Sequence, residues 1–121
     1  MFNNSSASQP TPKCNIIVVD DFYNNPDETR SYILSQDFNV RGNYPGQRTI
    51  SFATEHLRNV LQKYVAPFGG NIIDFPMYTG DTETPIYNGS FQFSTSRDNT
   101  WIHTDGNNNW AGVVYLTPNA P

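Results

Sequence analysis

The stretch "NTWIHTDGNNNWAGVVYLTP", residues 99–118, decides how this chain is read. It places His103, one of two histidines in the chain, two residues before Asp105, among β-branched and aromatic residues interrupted by the polar turn "GNNN". Side chains on a strand alternate, so an extended "TWIHTD" (100–105) puts Trp101, His103 and Asp105 on one face. An imidazole nitrogen and a carboxylate oxygen on the same face can serve one ion. They amount to two ligands of a 2-His-1-carboxylate triad, the arrangement that holds Fe(II) while leaving positions open for a co-substrate and oxygen. The turn followed at once by "WAGVVYL" (110–116) fits a hairpin with the acid at a strand end beside a second strand. A bare His-x-Asp arises by chance in roughly one chain in ten of this length. A hydrogen-bonded structural His–Asp pair therefore stands beside the metal site as the alternative.

The bulk properties limit what such a site can serve. A chain of 121 residues is one domain, able to remove about two-thirds of its unfolded surface from water. Net charge is −4, and the seven Lys and Arg are scattered singly. No basic stripe follows a nucleic-acid backbone, and nothing favours an anionic membrane. Cys14 is the single cysteine, and "MFNNSSASQPTPK" (1–13) lacks the apolar run of a secretion signal. No stretch approaches eighteen consecutive apolar residues. The expected setting is reducing and cytoplasmic, with no nucleic acid and no membrane as partner.

Working outward from the motif, residues 1–12 are Ser, Asn, Gln and Pro with little to bury, the composition of a disordered arm. "NIIVVDDF" (15–22) reads as a buried strand. "NNPDETRSYILSQDF" (24–38) starts a helix, with Asn25 as N-cap, Pro26 at the first helical position, and Asp27 and Glu28 in the first turn. "VRGNYPGQRT" (40–49) carries Gly42, Pro45 and Gly46 and reads as a loop. A second helix over residues 54–66 follows from Leu57, Val60, Leu61, Tyr64 and Val65 at helical spacing, with Gly69 and Gly70 ending it and its apolar face turned to a sheet. From Asn71 the pattern becomes β: "NIIDFPMY" (71–78), "PIYNGSFQFSTS" (85–96), "TWIHTD" and "AGVVYLTP" (111–118). The fold class is α+β. His56 on the second helix is expected at the surface, and Arg97 and Asp98 in "STSRDNT" (94–100) are turn residues without assigned chemistry.

"WIHTDGNNNWAGVVYLTP" (101–118) resembles the iron-binding segment of 2-oxoglutarate- and Fe(II)-dependent oxygenases, most closely the prolyl 4-hydroxylase-like group. In that family a His-x-Asp strand is followed by a short turn and a strand ending in a Tyr-Leu-Asn-like motif, here "YLTP". Upstream, "DDFYNNPDETRSY" (20–32) and "GNYPGQRT" (42–49) resemble small oxygenase-like proteins of phages and bacteria. The resemblance covers most of residues 15–121. It implies a double-stranded β-helix (jelly-roll) core with N-terminal helices, of which residues 13–121 form the N-terminal part. It also implies His103 and Asp105 as iron ligands, Fe(II) and 2-oxoglutarate as cofactors, and O₂ as oxidant. Tyr115 matches a position whose hydroxyl in some relatives binds the distal carboxylate of 2-oxoglutarate; core packing is its other reading. Trp101 either walls the pocket or simply packs. The implied reaction is hydroxylation of a C–H bond coupled to conversion of 2-oxoglutarate to succinate, with a protein side chain as the suggested substrate.

The family pattern calls for a later histidine and a basic residue that anchors the co-substrate, but no histidine follows His103 before Pro121. The expectation is a piece of the domain, nearly inactive by itself. A non-catalytic β-sandwich used for binding or assembly is the alternative from another class. A cupin site fits less well, since the paired His-x-His is missing. If residues 1–12 lie outside the fold, deleting them leaves the thermal midpoint unchanged; a drop of several degrees in a melting experiment would show that they pack on it.

Overall fold

A computed structural model describes residues 16–40, 42, 44–81, 83–100, 102, 103, 106 and 109–119. The arm expected over residues 1–12 lies outside them. Among the described residues the chain is small and mixed: helix α1 (Pro26–Leu34), strand β1 (Gln47–Ser51), helix α2 (Glu55–Gly69) and strand β2 (Ser90–Phe93), with β1 and β2 paired antiparallel. No helix among the described residues is long and apolar enough to cross a membrane.

The helices form where local chemistry favours them. Asn25 caps α1 by accepting the Glu28 amide at 3.1 Å, and Pro26 begins the helix where its missing N–H costs nothing. Thr54 caps α2 in the same way through the Leu57 amide at 3.1 Å. Pro67 sits inside the last turn of α2, and Gly70 then ends the helix with φ 73°. The helix therefore runs three residues beyond the span expected from its apolar periodicity.

The strands depart further from expectation. "VRGNYPGQRT" is not all loop: Val40 bridges Arg48 through a reciprocal pair of backbone hydrogen bonds, 3.0 and 3.3 Å, and Gln47–Thr49 belong to β1. Gly46 makes this possible. With φ 75° it turns the chain into the strand, and a Cβ there would run into the Phe93 carbonyl. The register then shifts: Arg48 faces Gln92, but Ser51 faces Ser90, so β1 carries a bulge between them. The Thr49 hydroxyl mends the ladder at that point, accepting the Phe91 amide at 3.0 Å and donating to the Ile50 carbonyl at 2.7 Å. Thr49 is 1 % exposed, the most deeply buried of the described side chains. Ser51, also buried, donates to the Asn88 carbonyl and accepts the Ala53 amide at 3.1 Å.

Around this pair the core is aromatic. Tyr32 of α1 meets Phe52 edge-on at 6.3 Å, Phe52 meets Phe91 at 5.4 Å, and Phe38 meets Phe93 at 6.3 Å. Ile33 and Ala53 are the buried hydrophobic residues among those described.

The runs "NIIVVDDF", "NIIDFPMY" and "AGVVYLTP" hold no ladder position in their described residues, and only Ser90–Phe93 of "PIYNGSFQFSTS" does. The reason is physical: β-branched residues favour an extended backbone, but a strand exists only where a second backbone accepts its hydrogen bonds. Helix α2 is apolar along one face. Leu57, Val60, Leu61 and Val65 are half-buried, and Tyr64 meets Phe22 at 6.2 Å. Burial raises the Tyr23 hydroxyl above its ordinary pKa of 10.0, and its ring stands edge-on to Phe22 at 5.1 Å. Side chains of α2 hold the returning chain. Gln62 donates to the Gly70 carbonyl at 2.7 Å and accepts the Ile72 amide at 2.6 Å, while Arg58 donates to the Ile72 carbonyl.

Replacing Thr49 by Val keeps the shape and removes the hydroxyl, leaving the Phe91 amide without its partner. The expected cost is about 1–3 kcal/mol in denaturant unfolding. A Thr49→Ser variant, which keeps the hydroxyl, should recover most of the part due to hydrogen bonding. Equal loss in both variants would show that the methyl group, not the hydroxyl, matters.

Candidate functional site

The segment that carries the motif leaves β2 through a turn closed by Asp98. Its carboxylate accepts the Thr95 amide at 2.6 Å and the Thr95 hydroxyl at 3.2 Å, and the Asp98 amide donates to the Thr95 carbonyl at 3.0 Å. Arg97 and Asp98 are thus turn residues. The chain then runs without ladder pairing through Ile102 and His103, and both side chains are exposed. Trp101 and Asp105 lie outside the described residues, so the face shared by Trp101, His103 and Asp105 is not part of the described geometry.

Beyond the turn at Gly106 two contacts among the described residues dock the chain. Trp110 packs its indole against Gly69 at the end of α2, where a Cβ would collide with the indole nitrogen. Arg30 of α1 donates to the Leu116 carbonyl at 3.3 Å and to Asp27 at 2.9 Å, so its guanidinium ties helix and segment together. Between the two points Val113 is 72 % and Tyr115 82 % exposed. Tyr115 is therefore not a core residue in this structure. His56, in the first turn of α2, is exposed as expected.

The donor types suit a hard-to-borderline divalent ion: an imidazole from His103 and, by sequence, a carboxylate from Asp105. Among the described residues no group of three or more His, Cys, Asp or Glu side chains is arranged to hold a metal. The donor chemistry of the two residues fits such an ion.

A second cluster lies outside the motif. Arg48, inside the stretch taken as a loop, lies across the Tyr44 ring with its guanidinium carbon 3.8 Å from the ring centroid, and 5.3 Å from that of Tyr87. The signal was present in the alternation of Arg48, Thr49, Ile50 and Ser51, which the flanking Gly and Pro outweighed.

Comparison with known proteins adds no family to this geometry: no protein-family model, no curated protein and no solved structure matches the chain.

Proposed function

We propose that this chain carries the iron-binding segment of a 2-oxoglutarate- and Fe(II)-dependent oxygenase, a hydroxylase of the prolyl 4-hydroxylase-like type on a double-stranded β-helix, with His103 and Asp105 as two iron ligands. The observation that carries this reading is the ordered combination in residues 101–118: His-x-Asp, a short Gly-Asn turn, and an apolar run ending "YLTP". When bound, the iron would activate O₂ for attack on a C–H bond at the expense of 2-oxoglutarate. The chain's own part is to hold the ion through His103 and Asp105 and to offer the exposed Tyr115 hydroxyl to a co-substrate carboxylate. A protein side chain is the proposed substrate.

A non-catalytic binding module is the second reading. It is favoured by the exposed apolar side chains of Ile102, Val113 and Tyr115 along the same segment.

Paramagnetic Mn(II) separates the two when titrated into the protein and followed by NMR. The oxygenase reading expects the Ile102, His103 and Gly106 amides to broaden first, and His103→Ala and Asp105→Ala each to weaken this about tenfold or more. Succinate formation from 2-oxoglutarate should be lost in both variants. Unchanged broadening and unchanged succinate in both would reject the iron assignment.

A further inference from the structure

An open cleft of about 430 Å³ has the size that small ligands use. Two stretches of chain line it: Val40 and Ile50 from the bridged edge of the sheet, and Tyr78, Asp81, Pro85 and Ile86 from the loop that leads to β2. Both stretches are held in place by the protein itself. Val40 is bridged to Arg48 by reciprocal backbone hydrogen bonds. Ser51, a buried member of the same lining, donates its hydroxyl to the Asn88 carbonyl. The Asn88 side chain donates in turn to the Pro76 carbonyl at 2.9 Å, which draws the two ends of the loop together. The Phe52 amide then bonds the Gly89 carbonyl at 3.0 Å, so the end of the loop is tied to the end of β1. A cleft framed in this way needs little further ordering when a ligand enters.

Asp81 is the charged residue of that lining. Gly80 turns the chain just before it with φ 93°, and one Asp81 carboxylate oxygen accepts the Glu83 amide at 2.8 Å, which orients the side chain. No Lys or Arg among the described residues pairs with Asp81; Arg30 and Arg58 are paired with Asp27 and Glu55. Asp81 and its neighbour Glu83 are both exposed, so negative charge stands at the mouth of the cleft. Together with a net charge of −4 it attracts a cation and repels an anion. The rest of the lining asks for an apolar body: Ile50 and Tyr78 leave 42 % and 37 % of their surface exposed, area that a ligand would remove from water.

We propose that this cleft binds a primary amine with a compact apolar body. The ammonium donates to the Asp81 carboxylate at the mouth, and the body covers Val40, Ile50, Tyr78, Pro85 and Ile86. One carboxylate in an otherwise uncharged lining calls for one positive charge, so a monoamine suits the cleft better than a diamine. This site is independent of the oxygenase reading.

The test is an NMR titration of the full chain with 4-phenylbutylamine, and with 4-phenylbutanol, 4-phenylbutyrate and putrescine for comparison. Saturable shifts at Val40, Ile50, Asp81 and Ile86 are expected for the monoamine, with binding about threefold tighter than for the alcohol, the size that an exposed charge pair supplies. Asp81→Asn keeps an oxygen for the Glu83 amide and so keeps the turn; it should erase that difference and leave binding of the alcohol unchanged. Ile86→Ala should weaken amine and alcohol alike. Equal affinity for amine and alcohol in the wild type would overturn the proposal, as would tighter binding of 4-phenylbutyrate or putrescine, or shifts that bypass these residues. The wild-type comparison decides the matter even if a variant fails to fold.

Discussion

The hydroxyl of Thr49 is the constraint on which the rest of the structure depends. A bulge in β1 leaves the Phe91 amide without a backbone acceptor, and a buried amide in that position costs about as much as the hydrogen bond it lacks. The hydroxyl supplies the acceptor and lets the ladder continue to Ser51 and Ser90. Two consequences follow. Phe91 and Phe93 are set against Phe52 and Phe38, which is how α1 gains its aromatic cover. Before the bulge, Arg48 and Gln92 are brought opposite each other, where their side chains bond.

Outside that centre the described residues are held by side chains rather than by ladders. Gln62 and Arg58 hold Ile72, Asn88 holds the Pro76 carbonyl, and Arg30 holds Leu116. Each such bond contributes about 0.5–1.5 kcal/mol net and fixes one point of a long extended stretch. Such pinning brings little apolar burial, as Ile73, Val113 and Tyr115 show by remaining largely exposed. The segment bearing His103 belongs to this less supported part. A metal site needs rigid ligands, and the hydrogen bond from Arg30 to Leu116 and the packing of Trp110 on Gly69 are contacts among the described residues that would help hold the stretch beyond the motif in place.

How much was legible in the sequence follows from how local each signal is. Both helices could be read, because Asn25, Pro26 and the spacing of Leu57, Val60, Leu61 and Tyr64 act within a few residues. The strands could be read only in part: Ser90–Phe93 falls inside the β run "PIYNGSFQFSTS", whereas Gln47–Ser51 falls partly in a stretch of loop composition. "AGVVYLTP" has a stronger β pattern than "GQRTIS", yet the latter holds the ladder, because Gly46 aims it at Phe93 and Thr49 repairs its bulge. Those are properties of pairs far apart in the chain. His103 and Asp105 were legible as a motif, whereas Arg48 was hidden by the Gly and Pro residues that deliver it to its tyrosines.

Amide hydrogen exchange on the intact chain tests the central claim most directly, since protection reports local opening free energy residue by residue. The Arg48, Phe52 and Phe91 amides, bonded to Val40, to Gly89 and to the Thr49 hydroxyl, are predicted to exchange slowest of the described residues. The Val113, Val114 and Tyr115 amides, outside any ladder, should exchange orders of magnitude faster. Protection at Val113–Tyr115 equal to that at Phe91 would contradict the account, because it would mean that a wider sheet, and not the bulged pair around Thr49, organises the fold.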